Sequence, residues 1–555
     1  MAQNLEQTKK ELIDELNQRV IDKVLEQNNA NLLTKLINGA NSISEAISIA
    51  QLGTTYKRTG LHYDKRLETP GDDIHYFRKN EQLSFYTDAK KPLNKLIIGE
   101  NYQALQNLMI EFKGLVDVIY IDPPYGKDYM GEFAKTNYNN ALTRDNLLSM
   151  LHPRLVLAKQ MLCDTGVIFC SLDDKNYAYG KCLFDEVFGE NNFTGTIIWQ
   201  SATDNNPTQI AIEHEYILCY CKNKSSQSAW SLESVNAQKI IKKYRELRER
   251  FTTPSDIQVE LRKWIKDNKD ELKGVAHYNN VDERGVFSSS QNSSNTKPGG
   301  YDFDIIHPIT GKPCPKPAFG WRWPETTFKS YDDAGEVVWG KDDSTQPHIK
   351  KRIETAVEQF KSIYYEDGRA STTMLADILG AKKVFDNPKP VNLVARLIAF
   401  ATNSKPDAIV LDFFAGSGTT GHSVLDLNLD GGNRRFILCQ INEKTDTTPN
   451  GIAYDATAPR LKVIMTGKEY GDEKVSKWAK DNKPYGGNLD VYEIDSVANF
   501  EAVEGKSPFD VIDETLYGQK KFKTLKKKID WVCDNFERTQ MNTDAENLLY
   551  KEVEE

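Results

Sequence analysis

The expected fold is decided by the stretch Val118-Ile119-Tyr120-Ile121-Asp122-Pro123-Pro124-Tyr125. Its apolar, β-branched first half is typical of a buried strand, and this strand ends at an acidic residue. The two prolines then impose an extended, rigid turn that lacks two N–H donors. The pattern predicts a fixed carboxylate on Asp122, an outward-facing carbonyl on Pro123 and an aromatic face on Tyr125. Taken alone, these residues also fit an ordinary exit from a strand into a turn.

Short apolar runs alternate with helical patterns on both sides of this strand. Strands are expected at residues 95–98, 116–121, 166–172, 196–199, 409–413 and 436–441, and helices at residues 102–109, 142–161, 183–188 and 419–427. This alternation predicts an α/β fold with a mostly parallel sheet. Because such sheets bind ligands at the carboxyl ends of their strands, Asp122 is expected at a ligand-binding edge. Residues 1 to about 50 carry apolar side chains at helical spacing, which predicts amphipathic helix.

A second informative segment is Leu411-Asp412-Phe413-Phe414-Ala415-Gly416-Ser417-Gly418-Thr419-Thr420-Gly421. A strand followed by Gly-x-Gly at the start of a helix lets the backbone approach a ligand, and the helix start offers N–H groups. The spacing fits neither the dinucleotide fingerprint nor a Walker loop, because Gly421 comes five residues after Gly416 and no Gly-Lys pair follows. A dinucleotide or nucleoside triphosphate site is therefore disfavoured.

Composition bounds the class of protein. The chain has 555 residues, 39% hydrophobic and 27% charged, with a net charge of -9, which is typical of a globular protein of several domains. The net charge argues against general binding to polyanions but is compatible with a local basic face. The apolar runs are shorter than a membrane helix needs and the polar start lacks a signal peptide, so a cytoplasmic protein without a membrane partner is expected. The eight Cys and eight His lack the spacing of a metal site or a disulfide framework.

The two segments together resemble the signature motifs of S-adenosylmethionine-dependent amino-methyltransferases that act on DNA. These enzymes carry an Asp-Pro-Pro-Tyr catalytic motif and a Phe-x-Gly-x-Gly cofactor loop. The catalytic motif comes first here and the cofactor loop follows 290 residues later (412 minus 122), an order similar to that of the β group. The chain most closely resembles the modification (Mod) subunit of type III restriction-modification systems. This likeness covers residues 55–465 approximately and includes Gly320-Trp321-Arg322-Trp323-Pro324.

The resemblance implies a set of site residues. The catalytic residues would be Asp122, Pro123, Pro124 and Tyr125, and the cofactor ligands Asp412, Phe414, Gly416, Gly418 and Gln440, with Glu100 and Asn101 near the adenosine end and Lys389 near the methionine end. Gln440 stands where many relatives carry an acid for the ribose hydroxyls, and Glu443 is an alternative ligand. No metal ligand is implied.

The resemblance also implies an architecture, a Rossmann-like methyltransferase sheet with an inserted target-recognition domain and helical terminal regions. The expected domains are an N-terminal helical region (1–85), the catalytic half of the methyltransferase domain (86–224), a target-recognition domain (225–375), the cofactor half of the methyltransferase domain (376–470) and a C-terminal partner or DNA-contact region (471–555). Trp321 and Trp323 within the inserted region fit either a DNA contact or a core pair.

The function implied by the resemblance is methyl transfer from S-adenosylmethionine to adenine N6 in double-stranded DNA, with the target base flipped out of the helix. The expected partners are duplex DNA, a second copy of the chain as a homodimer, and a restriction subunit with nuclease or helicase activity. Methylation of cytosine N4 or of RNA, and a catalytically silent DNA-binding subunit, remain as alternatives. The Asp at the first position of the catalytic motif favours adenine, and the intact motif argues against a silent subunit.

Overall fold

A computed structural model describes residues 5–21, 25, 27–52, 73–124, 144–201, 209–381, 384–470 and 475–498. Tyr125 and the predicted C-terminal region beyond residue 498 lie outside the described residues. The described residues form two compact units. One includes those within 1–69, 124–155 and 175–187, and the other those within 70–123, 156–174 and 188–498.

The helices follow in chain order as α1 (Leu5–Ile21), α2 (Gln27–Gly39), α3 (Ile43–Leu52), α4 (Asn101–Phe112), α5 (Arg144–Met161), α6 (Tyr177–Phe188), α7 (Val235–Arg248), α8 (Pro254–Asp267), α9 (Glu325–Asp333), α10 (Arg369–Leu379), α11 (Val391–Thr402), α12 (Thr419–Leu427), α13 (Ala458–Thr466) and α14 (Trp478–Asp481). The strands are β1 (Asp73–Lys79), β2 (Phe85–Tyr86), β3 (Leu93–Ile98), β4 (Val116–Ile121), β5 (Leu162–Leu172), β6 (Phe193–Gln200), β7 (His214–Cys221), β8 (Leu232–Glu233), β9 (Asn280–Asp282), β10 (Gly285–Asn292), β11 (Val337–Val338), β12 (His348–Arg352), β13 (Val357–Glu358), β14 (Ile363–Tyr365), β15 (Ile409–Asp412), β16 (Arg435–Gln440) and β17 (Asn488–Ala498).

In the first unit, helices α1 to α3 pack around a small apolar core. Leu16, Leu33, Ile37 and Ala46 are buried between them. The partly buried Leu12 and Ile13 of α1 and Ile49 of α3 pack against this core, as the helical spacing of apolar residues predicts.

The second unit is built on an 11-stranded sheet. Its strand order is β1-β17-β3-β16-β15-β4-β5-β7-β6-β14, and β2 pairs with β17. The strands from β17 to β5 run parallel, whereas β7 is antiparallel to both β5 and β6. All six residues of β4 are buried, as expected for a central strand covered on both faces.

The main core lies against this sheet. Val118, Val410 and Leu438 from three neighbouring strands are buried together with Leu393 and Leu397 of α11. The predicted α/β fold class is therefore confirmed. The expected strands and helices all appear, and β1, β7, β14 and β17 join the same sheet in addition.

The segment between β8 and β13 forms a separate pair of cores. These two short strands pair antiparallel, so the chain enters and leaves the segment side by side. Helices α7 and α8 enclose one core, and the sheet β11-β12-β10-β9 contributes to both. Trp321 is 1% exposed and its indole donates to the Phe303 carbonyl at 2.8 Å, so this tryptophan belongs to the core. The domain bounds drawn from the sequence remain predictions.

No helix among the described residues is both long enough and apolar enough to cross a membrane.

Candidate active site

The sheet brings the two sequence motifs to one edge. β4 and β15 are neighbouring parallel strands, with Val118 opposite Val410 and Ile119 opposite Leu411. Asp122 follows the last residue of β4, and Asp412 is the last residue of β15. Since parallel strands end on the same side, the two carboxylates lie at the same edge of the sheet.

Asp412 is a buried acid at the start of the glycine loop. Its Oδ1 accepts a hydrogen bond from the Phe414 backbone N–H at 2.9 Å, and its Oδ2 accepts one from the Thr420 hydroxyl at 2.6 Å. Burial raises the pKa of the Asp412 carboxyl to about 7, since the two hydrogen bonds only partly offset the loss of water and Asp122 adds a second negative charge.

The glycine loop has a backbone that only glycine adopts easily. Gly416 has φ +52° and Gly418 has φ +82°, and α12 begins immediately after them. A Cβ atom on Gly416 would lie 3.0 Å from the ring of Phe385. The loop therefore presents bare backbone and the first N–H groups of α12 at the carboxyl end of β15.

Side chains from two other elements hold this loop in place. The Thr457 hydroxyl donates to the Gly416 carbonyl at 2.6 Å. The buried guanidinium of Arg460 on α13 donates to the Ser417 hydroxyl at 2.9 Å and to the Thr419 hydroxyl at 3.0 Å. Burial among uncharged partners lowers the pKa of Arg460 to about 9. No sequence motif pointed to this arginine, because it acts from a helix about 40 residues further along the chain.

Gln440, at the end of β16, is bound to the same loop. Its Oε1 accepts from the Gly416 N–H at 2.6 Å, and its Nε2 donates to the Ile441 carbonyl at 2.9 Å. Three residues later, partial burial raises the pKa of the Glu443 carboxyl to about 7. The amide of Gln440 thus supports the glycine loop. Glu443 carries the carboxyl group that follows three residues later in the chain.

Glu100 and Asn101 lie where α4 begins. The Asn101 amide donates to the Phe413 carbonyl at 2.9 Å, which ties the start of α4 to the end of β15. The Glu100 carboxylate caps α4 by accepting from the Tyr102 N–H at 3.4 Å. The structure therefore places Asn101 directly beside the strand that leads into the glycine loop.

Lys389 lies between the carboxylates of Asp122 and Glu215. Its Nζ is 2.8 Å from Asp122 Oδ2 and 3.0 Å from Glu215 Oε2, and its side chain is only 7% exposed. The ammonium also lies 5.7 Å from the centre of the Trp199 ring. Burial alone would lower the pKa of Lys389, but the two carboxylates outweigh this effect and raise it above its usual value. Glu215 was missed from the sequence because it stands on β7, which the strand pattern did not reveal.

Among the described residues, no group of three or more His, Cys, Asp or Glu side chains is placed to hold a metal ion.

Comparison with known proteins agrees with this geometry. A family model described as DNA methylase matches residues 116–447. The chain is 31% identical to the type III restriction-modification enzyme EcoP15I Mod subunit of Escherichia coli, over 77% of this chain and 70% of that protein. It is 29% identical to the EcoPI Mod subunit of Escherichia phage P1, over 76% of this chain and 68% of that protein. The chain belongs to the DNA methylase family.

Further comparisons extend to shorter relatives and to the N-terminal region. The methylase is 30% identical to the type II methyltransferase M.KpnI of Klebsiella pneumoniae, over 70% of this chain and 89% of that protein. A second family model, described only as an uncharacterised conserved protein, matches residues 6–118. The expected membership of the DNA methyltransferases and the likeness to type III Mod subunits are both confirmed.

The structure brings most of the predicted site residues of the methylase together. Asp122, Pro123 and Pro124 follow β4, and Asp412 is the last residue of β15. The other predicted cofactor ligands lie on the loop after β15, at the end of β16, at the start of α4 and, in the case of Lys389, two residues before α11. Tyr125 lies outside the described residues. The individual roles assigned to these residues remain proposals.

Proposed function

We propose that this methylase transfers a methyl group from S-adenosylmethionine to N6 of adenine in double-stranded DNA, as the modification subunit of a restriction-modification system. The observation that carries this proposal is the meeting of Asp122 and the Gly416–Gly418 loop at one edge of the sheet, on neighbouring strands that are far apart in sequence.

The residues around the loop fit S-adenosylmethionine. Gly416 and Gly418 permit the tight turn of the loop, because their φ angles are positive and a Cβ atom there would contact Phe385 or Thr457. The first N–H groups of α12 face the space at the end of this loop. The buried carboxyl of Asp412 stands beside this space. We assign the methionine part of the cofactor to this loop and its ribose hydroxyls to Glu443, because the amide of Gln440 is already bound to the loop.

Methyl transfer to adenine requires hydrogen-bond acceptors for the amino group of the base. Adenine N6 is a weak nucleophile because its lone pair is delocalised into the ring. The Asp122 carboxylate and the Pro123 carbonyl each accept one hydrogen bond from an N6–H group. This arrangement biases the N6 lone pair toward the methyl group. When bound, S-adenosylmethionine supplies a methyl group on a sulfonium. The new N–C bond would replace the S–C bond, which would leave a neutral thioether, and the proton lost from N6 would pass to water.

Access to N6 requires the base to leave the duplex. The target atom is buried in the base stack, and extrusion costs a few kcal/mol. Tyr125, the last residue of the catalytic motif, would provide the surface on which the flipped base stacks. The inserted region at residues 225–375 would read the DNA sequence.

The partners follow from the same proposal. The substrate would be duplex DNA, and two of the three named relatives are Mod subunits of restriction-modification enzymes. A restriction subunit and a second copy of the chain are therefore the proposed protein partners, and the cytoplasm the proposed place of action.

The test is methyl transfer from radiolabelled S-adenosylmethionine to duplex DNA, followed by identification of the labelled nucleoside. We expect N6-methyladenine, and Asp122→Ala should lower the rate by about 10²- to 10³-fold, as loss of one preorganised electrostatic partner does. Asp407→Ala is the matched control, because this carboxylate is 72% exposed and precedes β15 at the opposite end.

The other candidate functions give different products when RNA is added to the same assay as a second acceptor. Labelled N4-methylcytosine would assign the enzyme to cytosine, and label in RNA alone would exclude duplex DNA as the substrate. DNA binding without any labelled product would identify a silent subunit.

A further inference from the structure

A buried ion-pair cluster joins the two halves of the site. Lys389 is flanked by Pro388 and Pro390, and α11 begins directly after Pro390, so the backbone position of Lys389 is fixed. Its ammonium contacts the carboxylates of Asp122 and Glu215 at 2.8 and 3.0 Å. Its carbonyl accepts a hydrogen bond at 3.3 Å from the hydroxyl of Thr419, the first residue of α12. One residue thus contacts the catalytic motif with its side chain and the end of the cofactor loop with its backbone.

We propose that Lys389 and Glu215 are positioning residues for Asp122, with Lys389 fixing the orientation of the catalytic carboxylate and Glu215 sharing the ammonium. This inference rests on the proposed function, because it assigns the two residues a role through Asp122. It replaces the expectation that the side chain of Lys389 serves the methionine end of the cofactor.

The geometry explains why one cation is bound by two acids. An ammonium that holds one carboxylate oxygen restricts rotation of the group about its Cβ–Cγ bond, so the acceptor is oriented before the base arrives. An exclusive ion pair would also draw electron density from Asp122 and weaken it as an acceptor for N6–H. Sharing the ammonium with Glu215 leaves the three groups with a net charge of -1, and negative charge therefore stays at the acceptor.

The surroundings keep this cluster ordered. The Trp199 ring lies beside the ammonium, and its indole is itself fixed by donation to the Glu366 carbonyl at 2.9 Å. Among the residues that the structure describes, Asp412, Tyr120 and Cys170 also act electrostatically on this cluster, and burial raises the pKa of each. Among the described residues that face Asp122, Lys389 supplies the positive charge of this cluster.

The test compares Lys389→Met and Lys389→Arg in the full-length enzyme. Met keeps the length of the side chain and removes the charge, so kcat should fall by about 10²-fold. The Kd for S-adenosylmethionine should stay close to the wild-type value, because the backbone contact to Thr419 survives the substitution. Arg keeps the charge and should restore part of kcat.

The pH dependence of kcat separates positioning from packing. Without Lys389, two neighbouring carboxylates favour a shared proton, so the acid limb of the profile should move to higher pH by about one unit. Glu215→Gln keeps the cation and removes the second acid, so the limb should move to lower pH. This second variant also covers the case in which Lys389→Met does not fold.

Lys405→Met is the matched control. Lys405 forms an ion pair with Asp117 at 3.0 Å, and Asp117 lies near the start of β4, at the end opposite to Asp122. Lys405→Met removes a lysine that contacts β4 but not the cluster of Lys389, Asp122 and Glu215. The pH profile of kcat should therefore not move.

Two results would overturn the inference. A selective loss of S-adenosylmethionine affinity at unchanged kcat would make Lys389 a cofactor ligand, and an unmoved acid limb in both variants would leave the cluster as packing. Asp122→Ala, measured in parallel, separates this failure from a failure of the proposed function. If Asp122→Ala stays active, the catalytic assignment itself is wrong, whereas an inactive Asp122→Ala beside normal Lys389 and Glu215 variants refutes only the positioning role.

Discussion

Gly416 adopts φ +52°, and a Cβ atom there would lie 3.0 Å from the Phe385 ring. In Gly416→Asp, backbone strain combines with a contact against the Phe385 ring and with a negative charge on the loop assigned to the cofactor. We expect the Kd for S-adenosylmethionine, measured by calorimetry, to rise by about tenfold or more, equivalent to about 1.4 kcal/mol or more. Gly431→Asp is the control, because Gly431 has φ +93° but a Cβ atom there would have no neighbour within 4 Å. Unchanged affinity in a folded Gly416→Asp protein would refute the assignment of this loop.

A second prediction at the residue scale concerns Asp412. Burial raises the pKa of this carboxyl to about 7. A raised pKa means that the folded chain keeps a proton which the unfolded chain has already released. The stability from this group is therefore present below the unfolded pKa, 3.8, and is lost as the pH rises through about 7. Asp412→Asn does not titrate, so its melting temperature relative to wild type should increase between about pH 4 and pH 8. A difference that is constant with pH would show that Asp412 is not a buried acid.

At the scale of elements, α13 supports the glycine loop through Arg460, whose guanidinium binds Ser417 and Thr419. Arg460→Met removes these donors and leaves buried acceptors without partners, at a cost of about 1–3 kcal/mol each. We expect a lower melting temperature, weaker S-adenosylmethionine binding, and faster hydrogen exchange in residues 415–420. Lys462→Met, on the same helix, removes a charge that contacts the rings of Phe85 and Tyr470 instead of the loop. Equal effects of the two variants on cofactor affinity would argue against a specific role for Arg460.

Some strands of the main sheet could be predicted from the sequence, and others could not. β4 and β15 were predictable because each is a short apolar run that ends in a recognisable motif. β7 was missed because it pairs antiparallel with β6, whereas the alternation of strands and helices used to find strands applies to parallel neighbours. Glu215 stands on β7, so a partner of Lys389 was missed with it. Periodicity predicts the conformation of a segment, whereas pairing between distant strands depends on contacts that a local pattern does not contain.

At the scale of the whole molecule, too, the pairing of distant segments could not be derived from local sequence patterns. The sequence predicts that Asp122 and the glycine loop serve one site, but only through resemblance to a family. The structure supplies the physical reason, which is the pairing of β4 with β15. The main sheet also takes up β1 and β17, which lie in regions expected to be terminal additions. Conversely, β14 lies within residues 225–375 but pairs with β6 of the main sheet.

This topology sets the design of a specificity exchange. The inserted segment enters and leaves beside the β8–β13 pair, where the Ser234 N–H donates to the Ala356 carbonyl at 3.1 Å. Replacing residues 234–356 with the equivalent part of a relative should therefore change the methylated DNA sequence and leave cofactor affinity unchanged. The reason is that contacts to base edges specify the sequence, whereas contacts to phosphates only position the protein. Sequencing of modified adenines in DNA treated with the chimera measures the outcome.

A wider exchange of residues 225–375 is the matched comparison. It also replaces β14 and Trp230, whose partners β6 and Phe169 stay native, so the main sheet should lose stability. We therefore expect a lower melting temperature and lower activity for the wide chimera than for the narrow one. If the narrow chimera is active but methylates the original sequence, the bases are read by another part of the chain. If both chimeras are equally stable, β14 contributes little to the sheet, and the junctions can be moved outward without penalty.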